Sequence, residues 1–230
     1  MSALSPKDHL LHALAWIGSR VFPGAPAAAQ TLPPRRILVF QAGGIGDLLR
    51  IFPLLESLHA AYPQAELFTL SPFSTSVFEL LPNPGIITRS LGYHPTGEHA
   101  ALSAKLRLAR ALRASRFDLI VNPARGQGML QNGLLAWAAG APVRVGFDDT
   151  GAGFANTVRV PLHADQPILE QNLNLLRALH LTPQITDVHI RVAPKDDAAA
   201  ARLMTDRGLT PPFMAIHPGS TWQSKLQWPL

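Results

Sequence analysis

The 230-residue sequence contains no cysteine. That excludes a disulfide scaffold, thiolate metal ligands and a cysteine nucleophile. Aromatic residues make up only 7% and are not interleaved with basic ones. No run of Lys or Arg is longer than Arg35-Arg36. A stacking platform or basic stripe for nucleic acid is therefore missing, and no nucleic-acid partner is expected. The apolar stretch 10–17 is too short to span a bilayer. No Gly-x-Ser-x-Gly elbow and no Walker A loop occur, which disfavours an α/β-hydrolase and a P-loop enzyme.

What is present is an apolar fraction of 47%, enough for a globular core, and a formal charge of +5, which suits an acidic partner such as a phosphorylated substrate or anionic lipid. Ser5-Pro6-Lys7-Asp8 is a helix start, with Leu10, Leu14, Ile17 and Val21 on one face. Residues 25–29 resemble a small-residue cleavage region, so a secretory signal is one reading. His12 inside the apolar core favours the other, a peripheral amphipathic helix. A Pro/Ala-rich linker follows, and residues 1–35 form this leading segment.

From Arg36 the pattern alternates between strand and helix. Strands are expected at 37–41, 66–70, 86–89, 118–122 and 143–147. Helices are expected at about 47–61, 74–81, 99–115, 128–139 and 166–180, and Pro53 should kink the first. A further strand is expected at 188–192, then a helix from Pro194 to near Gly208. Such alternation predicts a parallel sheet, an α/β Rossmann-like domain over residues 36–192. The apolar run 213–216 reads as the first strand of a second Rossmann-like domain, so that 193–230 is its truncated start.

Two strand-to-turn motifs carry candidate chemistry. Gln41-Ala-Gly-Gly-Ile-Gly-Asp47 follows the first strand. Gly44 and Gly46 allow a tight turn and close ligand approach, and the helix after them offers free N–H groups to an anion. A dinucleotide fingerprint would need glycine at position 49, where Leu49 stands, and an acid at the end of the second strand, where Glu66 instead begins it. Asp47 has two readings, a helix N-cap or a general base at the mouth of a cleft, its carboxylate favoured by the helix N-terminus. The second motif is His217-Pro-Gly-Ser-Thr-Trp-Gln-Ser-Lys225. Gly219, Ser220 and Thr221 suit a phosphate-binding turn and Lys225 a phosphate oxygen. A surface loop with a solvated lysine is the plainer reading. His94, Glu98 and His99 lie in a Gly/Pro-rich loop without an acid cluster, and no metal site is expected. Arg125 and Gly126 end the fourth strand at the carboxyl edge, where ligands bind in such folds, and Arg125 is a candidate contact for an acidic sugar.

Together these residues resemble glycosyltransferase family 9, the ADP-heptose:lipopolysaccharide heptosyltransferases. The likeness begins at Arg36-Ile-Leu-Val-Phe-Gln and runs through Gly44-Ile-Gly-Asp47 to Pro53-Leu-Leu. It continues with Phe117-Asp-Leu-Ile-Val-Asn-Pro-Ala-Arg-Gly126 and Val143-Arg-Val-Gly-Phe-Asp148, and closes with Ile216-His-Pro-Gly-Ser-Thr, Lys225 and Trp228-Pro229. Here Lys225-Leu-Gln-Trp228 has one residue more than the family's Lys-x-Trp-Pro. The resemblance implies a GT-B architecture and inverting transfer of a sugar without a metal or other cofactor. The donor would be a nucleotide-sugar such as ADP-heptose, and the acceptor the lipid A-core glycolipid of lipopolysaccharide. It implies Asp47 as the base, Lys225 with Ser220 and Thr221 on the donor diphosphate, and a cytoplasmic enzyme peripheral to the anionic inner face of the inner membrane. A chain ending inside the second domain would be inactive alone. The alternatives are a Rossmann-type nucleotide-dependent oxidoreductase and a non-catalytic membrane-associated binding protein.

Overall fold

The structure is a computed structural model that describes residue 13 and residues 33–216 apart from 42, 74, 150–152 and 186. Most of the leading segment 1–35, and all of His217 to Leu230, lie outside the described residues. The chain divides into one unit up to Arg191 and another from Val192.

In the first unit, β1 (Arg36–Phe40) is followed by the short helix α1 (Ile45–Leu49), α2 (Phe52–Ala61) and β2 (Glu66–Ser71). Two 3-10 turns, Thr75–Leu80 and Pro84–Ile86, lead into β3 (Ile87–Gly92). Then come α3 (Leu102–Ala114), β4 (Leu119–Asn122), α4 (Gln127–Ala139), β5 (Val143–Asp148), β6 (Val158–Pro161) and α5 (Ile168–Ala178). The six strands form one sheet in the order β3-β2-β1-β4-β5-β6, and every pairing is parallel. This is the doubly wound α/β arrangement, in which strand order reverses between β1 and β4.

The sequence of β1 explains why it is central. Ile37 and Val39 join the apolar cluster on one face of the sheet, and Leu38 and Phe40 join the cluster on the other. A strand covered on both sides reads as an unbroken apolar run. The first cluster includes Leu48, Phe52, Leu55 and Leu58 from α1 and α2, and Leu173 and Leu176 from α5. The second includes Leu112 from α3 and Leu135 and Ala136 from α4. The Asp118 carboxylate accepts the backbone N–H groups of Arg35 and Arg36 at 2.8 and 2.9 Å, which fixes the start of β1 beside β4.

Four expectations need correction. The helix expected at 47–61 is two helices that break at Arg50 and Ile51. Pro53 lies in the first turn of α2, where its missing N–H costs nothing, so the chain breaks before the proline instead of kinking at it. The segment expected at 74–81 is a 3-10 turn. No strand forms at 188–192: the Arg191 N–H donates to the Leu80 carbonyl at 2.8 Å, one bond in place of a ladder, and Val188, Ile190 and Val192 are exposed. Nor is 213–216 a strand, since among the described residues nothing lies in register to pair with it. The strand β6 was not expected. The second unit holds α6 (Pro194–Asp206), started by Pro194 with Asp196 and Asp197 in its first turn, a favourable place for negative charge.

Candidate active site

The carboxyl ends of β1 and β4 diverge where the strand order reverses, and a cleft of about 290 Å³ opens there. Gln41, Gly43, Asp47 and Ile51 line it from the β1 side. Ala124, Arg125, Gly128 and Asn132 line it from the β4 side, and Ile168 closes one flank. Asp47 and Arg125, far apart in the chain, thus share one cavity.

The β1 turn is shaped by its own polar groups. Gln41 is 4% exposed; its Nε2 donates to the Gly44 carbonyl at 3.2 Å and its Oε1 accepts from Ser71 Oγ at 3.3 Å. Gly44, not Asp47, is the N-cap of α1. Asp47 is the third helical residue, and its Oδ2 accepts the Gly44 N–H at 3.1 Å, the reach-back half of a capping box. Its Oδ1 accepts from Arg50 Nη1 at 2.9 Å. About half of the Asp47 side chain remains open to solvent (52%), so a ligand can reach the carboxylate.

Gly43 is the glycine this arrangement requires. A Cβ there would sit 2.4 Å from Asp47 Oδ2 and 2.8 Å from its Cγ, closer than any real contact. Gly44 and Gly46 have open space where a Cβ would go, and neither lines the cleft. Gly43→Ala is expected to push the Asp47 carboxylate aside and to cut any Asp47-dependent turnover at least about tenfold, with the circular dichroism spectrum unchanged. Wild-type turnover in that variant would show that Gly43 does not set the carboxylate's position.

Arg125 is half-buried and held along one edge. Its Nε donates to Gln171 Oε1 at 2.9 Å and its Nη2 to the Ile168 carbonyl at 3.2 Å; Nη2 also donates to Asn172 Oδ1. The guanidinium carbon lies 5.0 Å from the centre of the Phe147 ring, a cation–π distance. Nη1 makes no hydrogen bond among the described residues. No carboxylate forms an ion pair with Arg125 among them. Burial lowers its pKa from the ordinary arginine value; the Asp47 carboxylate opposes that shift and the Arg50 guanidinium adds to it. A desolvated guanidinium with a free donor edge favours an anion. Gly126, beside it, has φ 56° and ψ −133° at the start of α4, a backbone state that only glycine adopts without strain.

The residues that hold Arg125 were not among the sequence candidates. Gln171 Nε2 donates to the carbonyls of His163 and Gln166 at 2.9 and 2.8 Å. Asn172 Nδ2 donates to the Arg50 carbonyl at 2.9 Å, which ties α5 to the break between α1 and α2. One signal was available: two amides interrupt the apolar face that Leu173, Leu175 and Leu176 continue.

Glu66 lies at the amino end of β2, away from the cleft, and pairs with Arg36 at 3.1 Å, so it is not placed to bind a ribose there. His99 Nδ1 is 3.4 Å from Glu98 and accepts the His94 backbone N–H at 3.2 Å. No group of three or more His, Asp or Glu among the described residues is arranged to hold a metal ion. No helix among them is long and apolar enough to cross a membrane. Gly219, Ser220, Thr221 and Lys225 lie outside the described residues.

Fold and cleft together define a Rossmann-like domain with an open cleft at the switch in strand order. The chain belongs to glycosyltransferase family 9 (heptosyltransferase), whose model matches residues 105–230. Its fold is similar to the family 9 glycosyl transferase of Veillonella parvula, at 22% identity and a TM-score of 0.66, over 85% of this chain and 56% of that one. It is also similar to the E. coli ADP-heptose lps heptosyltransferase II, at 18% identity and 0.55, over 76% and 51%. A third likeness is to the E. coli heptosyltransferase WaaC bound to ADP-2-deoxy-2-fluoro heptose, at 16% identity and 0.53, over 66% and 51%. The chain therefore spans about half the length of these structures. No curated protein matches it at a significant level.

Proposed function

We propose that this chain is the acceptor-binding part of an enzyme that moves a heptose or related sugar from a nucleotide-diphosphate donor to a lipopolysaccharide-core acceptor. The observation that carries the reading is the shared cleft: a solvent-accessible carboxylate, Asp47, faces the same cavity as Arg125, a guanidinium with no ion-paired acid among the described residues. Asp47 takes the proton from the attacking acceptor hydroxyl as the bond to the donor's anomeric carbon forms. The nucleotide diphosphate leaves from the opposite face, so the configuration inverts. Arg125 holds the acidic group of the acceptor. Lys225, with Gly219, Ser220 and Thr221, steadies the departing diphosphate, and charge compensation of this kind contributes a few kcal/mol in such sites. Gly44 and Gly46 leave room for the donor beside the turn.

The anionic inner face of a membrane is the surface on which such an acceptor is presented. The helix α3 suits it: it contains Lys105, Arg107, Arg110 and Arg113 without an acidic residue, and Leu102 and Leu106 are exposed on it. The test is a transfer assay on the chain extended to the length of its structural relatives. With ADP-heptose and a heptose-deficient lipopolysaccharide core, transfer is expected without added divalent metal, and NMR coupling constants should show an inverted anomeric centre. Retention, or no transfer to a core acceptor, would refute the proposal.

A further inference from the structure

The amide of Asn132 has no role in the fold, and its surroundings assign it one. Asn132 lies on the sheet-facing side of α4, near the buried Met129, Leu135 and Ala136, and is 4% exposed. Every other buried asparagine or glutamine among the described residues has a hydrogen-bond partner: Gln41, Asn122, Asn156, Gln171 and Asn172. Asn132 makes none among them. Its position is not a sealed core site, because it lines the cleft with Asp47 and Arg125. The amide is not among the buried side-chain atoms shut off from both water and a partner, so it is open to the cleft. A ligand there can hydrogen-bond to it without breaking any bond within the protein.

The chemistry of the partner follows from the three groups. Asp47 accepts hydrogen bonds, the free edge of Arg125 donates to an anion, and a side-chain amide does both. An alcohol also both donates and accepts, so it satisfies an amide fully, whereas a simple anion uses only the NH₂ group. We propose that Asn132 is a substrate contact that pairs with a hydroxyl of the sugar whose acidic group Arg125 holds, and so fixes how the ring is turned toward Asp47. This rests on the reading of the cleft as the acceptor site.

The test uses the 230-residue chain labelled with ¹⁵N and two probes, D-glucuronate and acetate at equal ionic strength. The side-chain NH₂ pair of Asn132 is assigned by its loss in Asn132→Ala. Glucuronate is expected to move that pair saturably, together with the Nε–H of Arg125, while acetate moves only the arginine signal. Asn132→Ala should bind glucuronate roughly five- to tenfold more weakly, the value of one hydrogen bond. It should melt at the wild-type temperature or above, because no hydrogen bond is lost on substitution. If the arginine signal moves and the Asn132 pair does not, or if the alanine variant binds glucuronate as the wild type does, the contact is refuted while the anion site stands. If no cleft resonance moves with either probe, the acceptor-site reading falls with it.

Discussion

Asp47→Asn in the extended enzyme is expected to lower sugar transfer by about 10² to 10⁴, the range that a positioned general base supplies. The substitution is nearly silent for the fold. Asparagine keeps an oxygen for the Gly44 N–H, now 3.1 Å from Oδ2, so the reach-back cap survives. The lost interaction is the ion pair with Arg50, at 2.9 Å, and an exposed pair of this kind contributes between about 0 and 1 kcal/mol. An amide cannot take a proton from the acceptor, so turnover should collapse while the melting temperature and ADP affinity hold. Activity within tenfold of wild type would leave Asp47 as a helix cap alone.

Arg125→Leu should damage both fold and function. The leucine leaves Gln171 Oε1, the Ile168 carbonyl and Asn172 Oδ1 without the donor they now share. Hydrogen bonds to a charged group contribute about 1.5–3 kcal/mol each, and water satisfies part of what is lost, so a net destabilisation of about 2–4 kcal/mol is expected. In a domain of this size that is a fall in melting temperature of roughly 5–15 °C. Arg125→Lys restores the charge but not the planar fork, so it should recover part of the stability and little acceptor affinity. A leucine variant that melts as the wild type does would mean that α5 is held by its apolar face alone. Unchanged acceptor affinity in a folded variant would remove Arg125 from the binding site.

The elements that could be read from the sequence are those whose pattern is local. β1 was legible because it is apolar on both faces, and α3 because leucine and arginine alternate at helical spacing. The strand β6 was not. It is four residues long at the sheet edge and ends on Pro161, so its single apolar-polar-apolar step is too short to mark a strand. The opposite error at 188–192 has the same origin. Val188, Ile190 and Val192 alternate as a half-buried strand should, but a strand exists only where a neighbour offers a ladder. The site divides in the same way. Asp47 and Arg125 could be picked out because each follows a strand at the ligand-binding edge of an α/β sheet. Asn132 could not, because an amide within a helix has no signature until packing decides what faces it, and Gln171 and Asn172 left only a break in the apolar face of α5.

The position of β1 also bears on how the chain is made. The first strand of the sheet is its central one, and its partner on the β4 side lies some eighty residues downstream: Asp118 accepts the Arg36 N–H across 82 positions. At a synthesis rate of about 5–20 residues per second, roughly 4–16 seconds separate the emergence of the two. In the last part of that interval, once Gly92 has been made, the nascent polypeptide presents a completed β1–β2–β3 half-sheet with one apolar, unpaired margin. Late closure of this kind is slow, and the open margin can capture a second ribosome-bound copy. Production of this protein should therefore gain more from chaperone supply during synthesis than from surface mutations that improve the solubility of the finished fold.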